Sequence, residues 1–178
     1  MFVNQFLRGN VGSDFGDLSP QEKQFVKELE KATDKKLAEN ETLYRSLDAS
    51  VLFKEITDQE FDALRSVLAY NDNQNLTKQM SNNAMKKLTS VYNEKGFMST
   101  TTSRQLAEEF GDFTGATNPI IARIKTGKNT RGVNIAKSFP ALEKRMGQKE
   151  VLLKRNQKGK IKRVYGKNGN IYVDIDLD

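Results

Sequence analysis

The sequence predicts an α+β fold in which helices come first and mostly antiparallel strands follow. Three observations predict this order. Apolar residues recur at helical spacing before about Gly96, and short apolar runs typical of strands dominate after it. The dipeptide Asn168-Gly169 favours a hairpin turn, and apolar residues then alternate with polar ones at Ile171, Val173, Ile175 and Leu177. The 178 residues contain no low-complexity linker, so one domain spanning residues 1–178 is expected.

Capping boxes predict where two helices begin, one at Ser19 with Glu22 and one at Thr57 with Glu60. The first helix should run to about Thr33, and a third helix should follow the second. Helical spacing predicts the inner faces of these three helices and of a fourth, short helix that begins after Ser103. They comprise Phe25, Val26, Leu29 and Ala32, then Phe61, Leu64 and Leu68, then Met80, Ala84, Leu88 and Val91, and finally Leu106, Ala107 and Phe110.

The second half of the chain is expected to hold most of the strands. Ser103 should cap one more short helix there, and Gly111 is placed to end it. Short runs that favour strands begin before this helix and continue after it. They lie at residues 43–46, 97–101, 119–125, 132–136 and 150–154.

The chain contains no histidine and no cysteine, and this excludes several classes of enzyme. Triads with a histidine base, cysteine nucleophiles, thiolate zinc sites and disulfides are all ruled out. Any catalysis must use carboxylates, arginine, lysine, hydroxyl groups or the backbone. The net charge of +6, densest at residues 154–167, attracts anionic partners, although a general excess of surface lysine explains it equally well. No run is apolar enough for a membrane span or a signal peptide, so a soluble protein is expected.

Three short segments place polar residues suited to catalysis on predicted strands. Each is a weak signal alone, because strand-end arginines, hydroxyl runs and Gln-x-Glu triplets are common. Their order adds weight, with 54 residues from Arg45 to Ser99 and 51 from Ser99 to Glu150. The segments are LYRSL at 43–47, GFMSTT at 96–101 and GQKEVLL at 147–153.

In this order the segments resemble the Arg, Ser-Thr-Ser and Gln-x-Glu or Glu-x-Glu motifs of bacterial mono-ADP-ribosyltransferases of the arginine, serine, glutamate class. The start resembles the exoenzyme branch of that class, whose helical Asn-x-x-Leu-Arg segment is matched by Asn4, Leu7 and Arg8. The resemblance covers nearly the whole chain. It implies the ADP-ribosyltransferase fold, with helices packed on a β-sandwich core, and NAD as substrate without a metal. The other main class of these enzymes needs a histidine and is excluded.

Glu150 has the chemistry that cleavage of the bond between nicotinamide and ribose requires. The reaction builds positive charge on the ribose, and a fixed carboxylate stabilises that charge. Arg45 offers a planar, permanently charged fork that suits the diphosphate of NAD. The resemblance implies that Ser99 holds Glu150 by a hydrogen bond. It also implies NAD contacts from Asn4, Arg8, Ser99, Thr100 and Phe113, with Phe110 as the alternative to Phe113 for the ring that packs on nicotinamide.

Gln148 lies two residues before Glu150, so in a strand both side chains point to one face and share a pocket. The resemblance implies that Gln148 orients the acceptor and belongs to the catalytic set. A glutamate at this position accompanies arginine acceptors because a carboxylate binds a guanidinium. Gln148 therefore indicates an asparagine or another non-arginine acceptor; the alternative is a solvated polar neighbour.

Three residues depart from the pattern of the exoenzymes. Thr101 replaces the last serine of the serine motif. Arg145 stands where enzymes that modify small GTPases carry an aromatic substrate contact, which puts the usual GTPase target in doubt. Asn118 stands where those enzymes have an arginine that helps to hold NAD.

The expected function is transfer of ADP-ribose from NAD to an unidentified protein by a monomeric enzyme. One alternative is an NAD glycohydrolase, which transfers only to water. The other is an inactive module that binds nucleic acid or a capsid partner through its positive charge. Met1 falls inside the expected first helix, so the chain is interpreted as a module from a longer protein. Such modules occur in secreted toxins and in phage head proteins that act in the host cytoplasm.

Overall fold

The computed structural model describes residues 18–69, 86–113 and 117–178. The helices are α1 (Pro20–Thr33), α2 (Asp58–Ala69), α3 (Arg104–Phe113), α4 (Ile135–Ser138) and α5 (Pro140–Met146), with a 3-10 turn at Ala49–Val51. The strands are β1 (Thr42–Asp48), β2 (Val91–Glu94), β3 (Met98–Thr101), β4 (Pro119–Lys125), β5 (Gly132–Asn134), β6 (Glu150–Leu153), β7 (Gln157–Lys167) and β8 (Asn170–Leu177).

Hydrogen bonds join these strands into one eight-stranded sheet in the order β2-β7-β8-β4-β1-β3-β6-β5. Among the described residues β4 and β8 pair in parallel, and the other neighbouring strands pair antiparallel. The predicted α+β class with mostly antiparallel strands is confirmed. The order places β1, β3 and β6 side by side, so the three sequence motifs lie on neighbouring strands.

Both predicted capping boxes are present. The Glu22 amide donates to Ser19 Oγ at 3.2 Å, and the Ser19 amide donates to the Glu22 carboxylate at 2.9 Å. The Thr57 box has the same two bonds, at 3.2 and 2.9 Å. Each box satisfies amides that a helix start leaves without intrahelical partners.

The inner faces of the helices follow the prediction only in part. Val26, Phe61 and Leu64 are buried as expected. Phe25 and Ala32 are exposed, however, because α1 turns Val26 and Thr33 towards the sheet. The predicted third helix is wrong at its end, where Leu88 pairs with Phe53 and Val91 begins β2. Met80, Ala84 and the Leu68 side chain lie outside the described residues.

Two predicted element ends also need correction. The helix after Ser103 continues through Gly111 to Phe113, so Gly111 does not end it. The strand predicted to reach residue 136 ends at Asn134, because the Asn134 side chain accepts from the Lys137 amide at 2.9 Å and caps α4.

The hairpin prediction at the end of the chain is confirmed. Lys167 pairs with Asn170 across the turn between β7 and β8. Asn168 has a φ of 53° and Gly169 a φ of 73°, as a type I′ turn requires. The basic run at 154–167 is largely β7, which the sequence prediction missed along with β2. Within β7, three exposed lysines alternate with less exposed residues on the other face of the strand. The exposed lysines are Lys158, Lys160 and Lys162.

The sheet separates a large apolar core from a smaller one under α3. Leu43 and Leu47 of β1 belong to the large core, which α2 covers with Phe61 and Leu64. Tyr44 alternates with them and packs on the other side, against a cluster of Ala107, Ile121, Tyr165 and Tyr172. Strand β1 is therefore packed on both faces, and this packing fixes the directions of its side chains where it pairs with β3.

Candidate active site

A cavity of about 260 Å³ opens where β1, β3 and β6 meet the helix α3. Strands β1 and β3 pair there through one residue pair, Tyr44 with Thr101. The lining combines the three predicted motifs with one helix face. The residues are Tyr44, Arg45, Ser46, Ser99, Thr100, Thr101, Ala107, Phe110, Gln148 and Glu150.

Ser99 and Glu150 form a direct hydrogen bond in this cavity. The antiparallel register sets Thr101 opposite Glu150 and Ser99 opposite Leu152, so Ser99 is a diagonal neighbour of Glu150 on the same face. Ser99 Oγ donates to Glu150 Oε1 at 2.7 Å. A hydroxyl bonded to a carboxylate at this distance is a charge-assisted contact, and it restricts the orientation of the carboxylate.

Thr100 also lines the cavity, but its hydroxyl is bonded within the sheet. Its side chain is buried, and Thr100 Oγ1 donates to the Val151 carbonyl at 2.6 Å. This bond ties β3 to β6 immediately beside the Ser99–Glu150 pair. Thr100 therefore braces the two strands that carry the pair.

Arg45 is held on the cavity wall by Glu94, which the sequence prediction did not include. Arg45 Nη1 lies 3.4 Å from Glu94 Oε2, and the two side chains are 17% and 7% exposed. Glu94 Oε1 also accepts from the Gly96 amide at 2.9 Å, which anchors the carboxylate to the turn before β3. A largely buried carboxylate must be paired, and this pairing fixes the direction of the guanidinium.

Gln148 reaches the cavity by a different route from the one predicted. Strand β6 begins at Glu150, so Gln148 lies outside it. Lys149 between them has a φ of 48°, a left-handed conformation rather than an extended one. Both side chains line the cavity, as expected, but a turn in the backbone places them there and strand alternation does not.

Ser46 Oγ is buried beside the cavity and has no hydrogen-bond partner among the described residues. Such an atom is uncommon in folded proteins, because a hydroxyl removed from water without a partner costs free energy. Ser46 itself lines the cavity next to Arg45, but this oxygen lies below the cavity surface.

Residues 2–177 match the family described as ADP-ribosyltransferase exoenzyme. The chain belongs to this family. The search of curated proteins gives no match.

Solved ADP-ribosyltransferases share the fold of this exoenzyme. C3stau2 from S. aureus, solved with NAD, has a TM-score of 0.65 and 20% identity, over 98% of this chain and 79% of that one. An ADP-ribosyltransferase from Clostridium botulinum has a TM-score of 0.59 and 23% identity, over 99% and 79%. The Vis toxin from Vibrio Splendidus has a TM-score of 0.57 and 17% identity, over 99% and 65%. The chain thus spans just under two thirds of the length of Vis, which has also been solved with agmatine.

The remaining predicted site residues of this exoenzyme lie at the edge of the described residues or beyond them. Asn4 and Arg8 are outside the described residues, as are the side chains of Phe113 and Arg145. Phe110, the alternative to Phe113 for the nicotinamide ring, lines the cavity and is 37% exposed.

Asn118, which replaces the NAD-binding arginine of related exoenzymes, makes contacts within the fold. Its side-chain amide donates to Asp58 at 2.8 Å and its backbone amide to Asp48 at 3.3 Å. Burial opposes the ionisation of Asp48, but hydrogen bonds from Ser50 and Asn118 outweigh it and lower the pKa of Asp48. Asn118 therefore ties the start of β4 to the end of β1 and the start of α2.

Two further features are absent from the residues that the structure describes. No helix there is long and apolar enough to cross a membrane. In the same part of the chain, no cluster of three Asp, Glu, His or Cys residues is arranged to hold a metal ion.

Proposed function

We propose that this exoenzyme transfers ADP-ribose from NAD to a protein side chain other than arginine and releases nicotinamide. One observation carries the proposal: Ser99 is bonded to Glu150 at 2.7 Å inside a cavity that Arg45 and Gln148 also line. The four residues come from three separate segments of the sequence. The family match and the NAD bound to C3stau2 support NAD as the donor.

The reaction breaks the bond between the nicotinamide nitrogen and the ribose C1′ carbon. Nicotinamide leaves with the bonding electron pair, and positive charge develops on the ribose. The Glu150 carboxylate lies on the cavity wall, where it stabilises this charge and holds a ribose hydroxyl. A nucleophilic atom of the acceptor then bonds to C1′, and its proton passes to water, so the positive charge of the bound NAD nicotinamide leaves the site as that proton.

Ser99 acts through Glu150 in this scheme. Its hydroxyl donates to one carboxylate oxygen and leaves the other for the ribose. The bond also limits rotation of the glutamate side chain, so the negative charge is in place before the substrate reacts. Preorganised charge of this kind is often the largest catalytic contribution.

Arg45 is proposed to bind the diphosphate of NAD. The Glu94 contact engages Nη1, and the planar guanidinium carries five N–H donors in a fixed fork. The cavity volume of about 260 Å³ is just below the range of about 300–1,000 Å³ common for small-molecule pockets. It therefore suits the nicotinamide and ribose end of the dinucleotide, with the phosphates towards Arg45.

Gln148 supports a non-arginine acceptor. It lies on the cavity wall with Glu150, where an acceptor must approach the ribose. Its amide has no charge with which to pair a guanidinium, whereas an acceptor amide forms complementary hydrogen bonds with it. Agmatine, an arginine analogue, is bound by Vis, so it is a useful comparison ligand for this chain.

The test uses isotopically labelled NAD, the purified chain and a cell lysate. We expect labelled protein bands with the wild type and none with Glu150→Gln, which keeps the side-chain shape but removes the charge. Mass spectrometry of the labelled bands then identifies the acceptor residue. Ser50→Ala is a matched control, because Ser50 is exposed and bonds only to Asp48 among the described residues.

The outcomes separate this proposal from its alternatives. Release of nicotinamide without labelled protein identifies a glycohydrolase. Labelling at arginine overturns the proposal of a non-arginine acceptor but still supports the proposed transferase activity. Failure of NAD to raise the melting temperature, together with a salt-dependent rise from nucleic acid, identifies a binding module.

A further inference from the structure

Two of the three residues that join α5 to β6 have a left-handed backbone. Helix α5 ends at Met146 and is capped by Gly147, whose φ is 61° and whose amide donates to the Glu143 carbonyl at 2.7 Å. After Gln148 comes Lys149, also left-handed, and then Glu150 begins the strand. Glycine adopts this backbone region freely, but in a residue with a Cβ the crowding between Cβ and the following carbonyl oxygen disfavours it. Lys149 therefore needs stabilising contacts.

Glu143 supplies such a contact from the last turns of α5. The Lys149 amide donates to both carboxylate oxygens of Glu143, at 2.8 and 3.1 Å. Hydrogen bonds to a charged group are stronger than those between neutral groups, although solvent weakens them here. Both bonds are made with the backbone of Lys149 in its left-handed conformation, so they favour that conformation.

The other side of the 147–149 loop is bound to the end of β3. The Thr102 amide donates to the Lys149 carbonyl at 3.2 Å, and Thr101 Oγ1 donates to the Gln148 carbonyl at 2.8 Å. The loop is therefore fixed from two directions. The β3 side sets its distance from the serine motif, and Glu143 sets its turn.

We propose that Glu143 is a positioning residue that keeps Gln148 at the cavity by holding the Lys149 amide. The inference rests on the proposed role of Gln148 towards the acceptor. Without Glu143, Lys149 returns to the more common right-handed or extended backbone, and the direction of the chain at Gln148 changes. Glu150 is fixed separately by the β3–β6 ladder and by Ser99. Loss of Glu143 therefore impairs transfer to the acceptor and spares NAD cleavage.

The test combines amide hydrogen exchange with two activity assays on the full chain. Glu143→Ala removes the acceptor oxygens, and Glu143→Gln keeps one oxygen in the same place. Lys144→Ala is the matched control, because Lys144 is an exposed neighbour on the same helix. Exchange of the Lys149 amide is followed by NMR. Label transfer from NAD to lysate protein and nicotinamide release without lysate are measured in parallel.

We expect Glu143→Ala to speed exchange of the Lys149 amide, because the amide loses its hydrogen-bond acceptors and opens to solvent. Transfer should fall by roughly tenfold or more, since small misplacements of positioning groups have effects of this size. Nicotinamide release should stay within about twofold of the wild type, a change too small to indicate a lost transition-state contact. Glu143→Gln should recover most of both losses, and the control should change neither.

Three results would overturn the proposal: unchanged exchange in Glu143→Ala, faster exchange with unchanged transfer, or an equal loss of transfer and nicotinamide release. The exchange measurement needs neither NAD nor an acceptor. If the chain is not a transferase, the wild-type protein labels nothing in the lysate, but its Lys149 amide is still protected from exchange. If the Glu143 contact does not hold the loop, the Lys149 amide is not protected. The two failures are therefore distinguishable.

Discussion

Ser99→Ala tests whether the serine acts only through Glu150. The variant removes the 2.7 Å hydrogen bond and changes little else, because Ser99 is exposed on β3. A hydrogen bond to a charged group contributes about 1.5–3 kcal/mol, and exposure favours the lower end. At about 1.4 kcal/mol per factor of ten, nicotinamide release should fall roughly tenfold. Glu150→Gln removes the charge itself and should cost at least about 10²-fold.

The double variant decides between positioning and independent action. If Ser99 works by orienting the Glu150 carboxylate, then Ser99→Ala in a Glu150→Gln background should change the rate by less than about twofold. The assay is initial-rate nicotinamide release at saturating NAD, with circular dichroism to confirm folding. Rate losses that multiply, so that the double variant is about tenfold slower than Glu150→Gln, would refute the positioning role of Ser99.

Three further changes test other parts of the structure. Arg45→Lys should be nearly as damaging as Arg45→Ala in NAD affinity and rate, because lysine keeps the charge but not the fork; near wild-type binding by calorimetry would make Arg45 a point charge only. Gln148→Ala should lose protein labelling but keep much of the nicotinamide release, and equal losses would place Gln148 in the NAD site. The hydrogen bond from Lys87 and that from the Thr57 amide lower the pKa of Glu60 to about 2, so its stabilising contribution is present above about pH 4.5 and is lost as pH falls towards 2. In Glu60→Gln, the denaturation midpoint should therefore depend less on pH over that range. If its pH dependence is the same as in the wild type, the stabilising role of the Glu60 carboxylate is contradicted.

The elements that the sequence predicted best have strong local signals. The Ser19 and Thr57 capping boxes and the Asn168-Gly169 turn each depend on residues within four positions of one another. Strand β4 was predicted with its observed limits, because it is a short run rich in β-branched residues that begins at a proline. The sequence near an element is therefore enough to predict it when the interactions that fix the element are between neighbouring residues.

Elements fixed by distant contacts were missed or misjudged. Strand β7 has exposed lysines alternating with Gly159 and Ile161, so too few apolar side chains show its inward face. Phe25 has the spacing of an inner residue, yet the docking of α1 on the sheet leaves it exposed. Glu94 is buried because Arg45, 49 residues away, pairs with it, and no local pattern contains that information.

The candidate site shows the same division between local and distant information. The order of the motifs placed Arg45, Ser99 and Glu150 on predicted strands, and the sheet order brings those strands together. Gln148 reaches the cavity as predicted, but through a turn at Lys149 and not through the alternation of side chains along a strand. Lys149 has a left-handed backbone and bonds to Glu143 and Thr102, and a Gln-x-Glu triplet reveals neither the conformation nor the contacts.

The charges on the cavity wall match the demands of the proposed reaction. Among the described lining residues, Arg45 is the one cation and Glu150 the one anion. In the proposed binding mode, the negative diphosphate of NAD faces Arg45, and the ribose, which gains positive charge during cleavage, faces Glu150. Asn118 does not line the cavity, and its side-chain amide donates to Asp58, so the proposed phosphate contact rests on Arg45 among the described lining residues. Glu94 fixes the cation and Ser99 fixes the anion, so the geometry of both charges is set before NAD binds.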